Sequence, residues 1–118
     1  MRFRTLGKTD MQVSEIGFGA WGIGGSMWLG ATDEESLRAL HRAADLGMNF
    51  IDTAYVYGEG HSEDLIRQFL RERKERIVVA TKVPPKNMIW PARSGCPRSE
   101  AFPYGHIIKC TEESLERL

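Results

Sequence analysis

Apolar residues change their spacing several times along this chain, and each change marks a new element. Phe3 to Leu6 and Met11 to Ile16 are short apolar-containing runs around Gly7-Lys8-Thr9-Asp10, a pattern that predicts a β-hairpin. The second run leads into Gly17-Phe18-Gly19-Ala20-Trp21-Gly22, a strand end followed by a glycine-rich loop. Thr32-Asp33-Glu34-Glu35 then carries a capping-box pattern, with threonine at the cap and glutamate three places on. Asp33 and Glu34 add negative charge at the positive end of the helix dipole. Leu37, Leu40 and Ala44 share one helical face, and Gly47 closes the helix. Met48 to Thr53 is the next predicted strand. Ser62 is the expected cap of a second helix, with Glu63 and Asp64 in its first turn and Leu65, Ile66, Phe69 and Leu70 on its buried face. Ile77 to Thr81 is apolar and β-branched with no polar alternation, as in a parallel strand covered on both faces.

The order hairpin, β, α, β, α, β implies right-handed βαβ units in an α/β fold. Past Lys82 the texture changes. Pro84, Pro85, Pro91, Pro97 and Pro103 predict a loop of about twenty residues, a length that is usually functional or disordered. Thr111 to Leu118 reads as a last helix, with His106 lying before it.

Composition narrows the function classes. The length suits one domain. Sixteen Lys and Arg balance sixteen Asp and Glu, so no net field favours nucleic acid or an acidic membrane surface. No basic cluster is interleaved with aromatics, which argues against nucleic-acid binding. Met1-Arg2-Phe3-Arg4-Thr5 lacks the apolar stretch of a signal peptide, and no apolar run nears the ~20 residues of a membrane span. A cytoplasmic location is the default expectation. Cys96 and Cys110 form no CxxC pair, and His41, His61 and His106 are far apart, so reduced thiols and no metal site are expected.

Three motifs carry chemistry or imitate it. Gly17 to Gly22 matches G-x-G-x-x-G, but a dinucleotide fingerprint needs a helix opening at its third glycine, and Ile23 to Ala31 intervene here. The better reading is a loop that shapes the floor of a pocket. Trp21 and Trp28 either line that pocket or pack over its rim. Gly7-Lys8-Thr9 resembles the end of a phosphate-binding loop, but the earlier glycine that such a loop requires would fall at Arg2, so the triplet is a turn.

Asp52, Tyr57 and Lys82 form the third. Two apolar runs end on Asp52 and Lys82, and Tyr57 stands five places past the aspartate. On neighbouring parallel strands, about 4.8 Å apart, all three polar groups emerge at one end of the sheet. A phenol with a pKa near ~10 gives up its proton reluctantly at neutral pH. A cation within ~4–6 Å eases that loss, and a carboxylate holds the lysine charged and oriented. The plain alternative is a structural Asp–Lys pair with Tyr57 a surface aromatic.

Asn49-Phe50-Ile51-Asp52-Thr53-Ala54, then Tyr57-Gly58, then Ser62-Glu63 resemble the signature of the aldo-keto reductases. Val13 to Trp21 resembles that family's first strand and loop, and Ala80-Thr81-Lys82 its third strand. The resemblance implies a (β/α)₈ TIM barrel with a hairpin closing its N-terminal end. Residues 1–118 would then be a partial domain, with the hairpin and about the first three βα units, ending before the fourth strand. It also implies NADPH-dependent reduction of a small aldehyde or ketone. Tyr57 would be the proton donor, Lys82 would tune it and Asp52 would support Lys82. Ala20 and Trp21 match the loop that approaches the nicotinamide, and Asp52 lies beside the cofactor. The family's catalytic histidine belongs to the fourth strand, so His106 takes no such role, and the loops that hold the cofactor phosphates come late in the barrel.

Two alternatives to the enzyme reading stand beside it: a noncatalytic remnant, and a channel-subunit-like or regulatory binder on the same scaffold. Trp90, Phe102 and Tyr104 either contact substrate or pack the proline-rich loop, with packing favoured. Three strands with open edges leave ladder groups and apolar surface uncovered, so the expectation is marginal stability, self-association through the sheet edge, or a chain that is only a piece of a longer protein.

Overall fold

A computed structural model describes residues 1–26, 28, 30–91 and 93–118. Met27 and Leu29 of the glycine-rich loop and Ala92 of the proline-rich segment lie outside the described residues. Strands β1 (Phe3–Thr5) and β2 (Gln12–Ser14) form the expected antiparallel hairpin. Thr9 and Leu6 close its turn by a backbone bond of 3.1 Å, so Gly7-Lys8-Thr9 is turn chemistry. Asn49 fastens the hairpin to the body of the fold. Its Oδ1 accepts from the Ser14 amide at 2.7 Å, and its Nδ2 donates to the Gln12 carbonyl at 2.8 Å.

The body alternates strand and helix. Strand β3 (Phe18–Gly19), helix α1 (Asp33–Asp45), β4 (Phe50–Asp52), α2 (His61–Arg71) and β5 (Val78–Ala80) follow one another in the chain. The three strands are parallel in the order β3-β4-β5. Gly19, Asp52 and Ala80 share one rung of the ladder, at the C-terminal end of the sheet. Leu40 of α1, Ile51 of β4, and Ile66 and Phe69 of α2 are fully buried and form the centre of the core. The helices pack against each other along these faces.

The glycine-rich loop begins as a 3₁₀ turn over Ala20–Ile23, and α1 opens only at Asp33, so no helix N-terminus meets Gly22 as a dinucleotide fingerprint requires. The capping box forms as predicted. Thr32 accepts from the Glu35 amide at 3.2 Å, and the Glu35 carboxylate accepts from the Thr32 amide at 3.0 Å. That backbone bond, with the Thr32 hydroxyl bond behind it, holds the Glu35 carboxyl below the ordinary glutamate range. The sign follows from linkage: a lowered folded-state pKa stabilises above the unfolded pKa, and the contribution is lost as pH falls through the folded value. Glu35→Gln is therefore expected to melt below wild type near neutral pH, with the gap closing on acidification. Parallel thermal melts across pH check this, and a gap that persists in acid would contradict it.

Three expectations are corrected. Ser62 does not cap α2; Gly60 does, and Ser62 lies inside the first turn. Its hydroxyl is used across the fold instead, donating to the Ala20 carbonyl at 3.1 Å and sharing a 2.9 Å bond with Thr53. Strand β5 is half-buried along its whole length, because it is an outer strand with one edge open among the described residues. The last helix, α4 (Tyr104–Arg117), starts seven residues before Thr111, with Pro103 as its cap and a short helix α3 (Arg98–Ala101) ahead of it. Proline suits a helix start because it lacks the amide that would go unpaired there. His106 is consequently inside α4, where Nε2 meets the Pro84 carbonyl at 2.7 Å.

Candidate functional site

Asp52 ends β4, and Lys82 lies two residues beyond the end of β5. Their pairing follows from the register, since Asp52 stands opposite Ala80. Lys82 Nζ donates to Asp52 Oδ1 at 2.6 Å and to the Thr53 carbonyl at 2.9 Å. Both side chains are about half exposed, at 46% and 51%, so the pair is wet and its worth to stability is small.

Tyr57 sits in the turn that connects β4 to α2. Backbone bonds from Tyr57 to Ala54 and from Gly60 to Tyr55 fold this turn tightly. Lys82 Nζ lies 5.3 Å from the centroid of the Tyr57 ring. The ammonium thus meets the face of the phenol, a cation–π contact, with two of its donors committed to Asp52 and Thr53. Aspartate, lysine and tyrosine come together at one end of the sheet. The approach of lysine to tyrosine is through the ring, a detail that residue spacing does not reveal.

The glycine-rich loop is fixed against the same turn. A Cβ placed on Gly24 would come within 2.6 Å of the Tyr57 carbonyl carbon and 2.7 Å of its oxygen. One placed on Gly58 would overlap the Gly24 carbonyl oxygen, and Gly58 has a φ of +75°. Two backbones therefore touch where neither residue has a side chain. The clustering of glycines in the sequence carries the signal, but not the pairing. Ala20, at the head of this loop, is fully buried with its carbonyl taken by Ser62. Trp21 is half exposed and packs edge to face on Trp28, their centroids 5.6 Å apart.

Sequence reasoning also misses Glu63. Its place in the first turn of α2 suggests an acid facing the helix dipole, yet it is fully buried and bonded to Thr81, Ser114 and Arg117. Only a buried contact across 54 residues reveals that role.

Among the described residues, one open groove reaches Asp52, and a second hollow lies apart from the three site residues. An open groove of about 560 Å³ runs between the hairpin and the sheet, lined by Leu6, Glu15, Phe18, Phe50 and Asp52 among others. A smaller one of about 310 Å³ lies under the proline-rich segment, lined by Pro85, Trp90, Cys96 and Phe102 among others, and Asp52, Tyr57 and Lys82 are not part of its wall. Trp90 and Phe102 both edge this hollow, but Trp90 is as exposed as Tyr104, and both point largely into solvent. Among the described residues, no helix is long and apolar enough to cross a membrane.

Comparison with known proteins gives a consistent picture. The model of the Aldo/keto reductase family matches residues 15–118. Aldo-keto reductase YhdN of Bacillus subtilis is 36% identical over 84 residues, covering 70% of this chain and 25% of its own. A probable voltage-gated potassium channel subunit beta of Arabidopsis thaliana is 34% identical over 121 residues, covering all of this chain and 34% of its own. Among solved structures, an aldo-keto reductase from Bacillus halodurans in its holo form superposes with a TM-score of 0.77 at 30% identity, over 100% of this chain and 36% of that one. The chain spans about a quarter to a third of the length of the curated relatives it matches.

Proposed function

The chain belongs to the aldo-keto reductase family, and from that premise we propose that it carries the proton-transfer residues of an NADPH-dependent carbonyl reductase. The activity belongs to a complete (β/α)₈ barrel, to which this chain contributes the hairpin and about the first three βα units. One observation carries the reading: Lys82 Nζ lies 2.6 Å from Asp52 and 5.3 Å from the Tyr57 ring centroid, where two parallel strands end together.

The groups present suit the nicotinamide end of a dinucleotide: a half-exposed indole at Trp21 and a carboxylate at Asp52 that lines the open groove. Ala20, being buried, supports the loop from behind. The cofactor phosphates are assigned to no residue of this chain. Bound NADPH would supply the hydride to the carbonyl carbon. Tyr57 gives its hydroxyl proton to the carbonyl oxygen, so that the carbonyl becomes an alcohol. Lys82 stabilises the negative charge left on the phenol, and Asp52 keeps Lys82 aimed. The phenolate regains its proton from solvent.

A second reading has its own support. The relative named as a potassium channel subunit beta covers the whole of this chain. On that reading the same scaffold serves as a regulatory binder. The edges of β3 and β5 that are open among the described residues are then the surface through which the chain accepts further strands or a second copy.

Titrating NADPH while following cofactor fluorescence, then supplying a small aldehyde, separates the two. The enzyme reading expects saturable binding followed by NADPH consumption in the complete barrel. Binding without consumption of any aldehyde or ketone favours the regulatory binder. No fluorescence change at high concentration leaves only a noncatalytic remnant.

A further inference from the structure

Glu63 and Arg117 have no part in the chemistry above, yet they form a buried charge pair behind it, in which the carboxylate has three donors while Arg117 Nη2 is left without a partner. Glu63 Oε1 accepts from Thr81 Oγ1 at 2.6 Å and from Ser114 Oγ at 2.9 Å, and Oε2 accepts from Arg117 Nε at 2.6 Å. A carboxylate taken out of water needs such donors, and here they come from the strand end after β5 and from two turns of α4. Burial works against charge on Arg117, but the hydrogen bond and charge of Glu63, with smaller help from Glu113 and Tyr55, outweigh it and raise the guanidinium's pKa.

The pair reaches both reactive side chains by one step. Thr81 immediately precedes Lys82. The Arg117 guanidinium lies 4.9 Å from the centroid of the Tyr55 ring, two residues before Tyr57. Its stem passes so close to Gly60 that a Cβ there would sit 3.0 Å from Arg117 Cδ. Tyr55 and Gly60 bracket the turn that holds Tyr57, and they are themselves joined by a 2.7 Å backbone bond.

We propose that the Glu63–Arg117 pair sets the separation of Tyr57 and Lys82, acting through Thr81 on one side and through Tyr55 and Gly60 on the other. This rests on the reading of Tyr57 and Lys82 as the proton-transfer pair. Glu63 and Arg117 are positioning residues. A buried ion pair adds little stability over apolar residues of the same shape, whereas breaking it is costly, so its use here is geometric. The bond from Thr81 is charge-assisted and short, and it holds the backbone from which Lys82 projects.

Thr81→Val removes the donor and keeps the shape; Thr81→Ser keeps the donor. The readout is the proton signal of the Lys82 ε-methylene group in the 118-residue chain, labelled with ¹³C-lysine and assigned by its disappearance in Lys82→Arg. The Tyr57 ring shifts that signal away from the free-lysine position. In Thr81→Val the signal is expected to move most of the way back, with a lowered melting temperature because the buried Glu63 carboxylate loses a donor, and in Thr81→Ser the signal and the melt are both expected to stay. Thr81→Ala, read in the same way, repeats the test should the valine disturb folding. An unmoved Lys82 signal in Thr81→Val and Thr81→Ala overturns the proposal.

A turnover measurement in the complete barrel adds the consequence: kcat falls ~10–100-fold in Thr81→Val with KM held, and serine restores it. The two readings fail differently. A Lys82 signal that depends on Thr81, together with full turnover in Tyr57→Phe, would keep the positioning device and discard the proton-donor role.

Discussion

Tyr57→Phe is expected to lower carbonyl reduction in the complete barrel by ~10²–10⁴-fold, the usual worth of a positioned general acid. Cofactor binding and KM are expected to hold. The substitution is clean for a physical reason: Lys82 meets Tyr57 through the ring face, 5.3 Å from its centroid, and phenylalanine keeps that face. Lys82 also keeps its bonds to Asp52 and to the Thr53 carbonyl. Only the hydroxyl is lost, and with it the proton. Tyr57→Leu removes the ring as well and releases Lys82 from one of its three neighbours, so it should be no more active than phenylalanine and should also disturb Lys82. Steady-state NADPH consumption with an aldehyde substrate, paired with a fluorescence titration of cofactor, checks both. Wild-type turnover in Tyr57→Phe would remove the proton-donor assignment and leave Asp52–Lys82 as a structural pair.

What can be read from the sequence is what depends on neighbours along the chain. The α1 cap is written in four consecutive residues, Thr32 to Glu35, and forms as expected. The pairing of Asp52 with Lys82 follows from one longer-range assumption, that adjacent βαβ strands lie side by side, and the ladder meets it. Ser62 shows where this reasoning stops. By local rules it caps α2, but Gly60 already starts the helix, and the buried Ala20 carbonyl and Thr53 hydroxyl claim the serine. The start of α4 is hidden because Pro103, Gly105 and two isoleucines read as loop or strand, whereas the His106 bond to Pro84 is a tertiary contact. Glu63 is hidden for the same reason, since its principal partners arrive from α4 and from the end of β5.

The glycines offer the sharpest stability test, because three of them separate two causes of strain. Gly7 has a φ of +57°, and a Cβ there would find nothing within 4 Å, so Gly7→Ala meets only the conformational cost of a left-handed residue, about 1 kcal/mol. Gly24 has an ordinary φ of −74°, but its Cβ would press on the Tyr57 backbone at 2.6 Å. Gly24→Ala therefore meets only the overlap, about 1–3 kcal/mol by the usual cost of overpacking. Gly58 combines both: φ is +75°, and its Cβ would overlap the Gly24 carbonyl oxygen. Backbone cannot swing aside as a flexible side chain does, so Gly58→Ala should cost about 3–5 kcal/mol. That is a large part of the ~5–15 kcal/mol that holds a typical domain together. Urea or thermal unfolding of the three variants should rank them Gly7→Ala, Gly24→Ala, Gly58→Ala in rising cost. The last two also push the turn carrying Tyr57 away from the loop carrying Trp21, so whatever stability survives should come with a displaced Tyr57 and Lys82. A Gly58→Ala variant as stable as Gly7→Ala would mean that the two backbones do not touch, and the tight seating of Tyr57 would go with them.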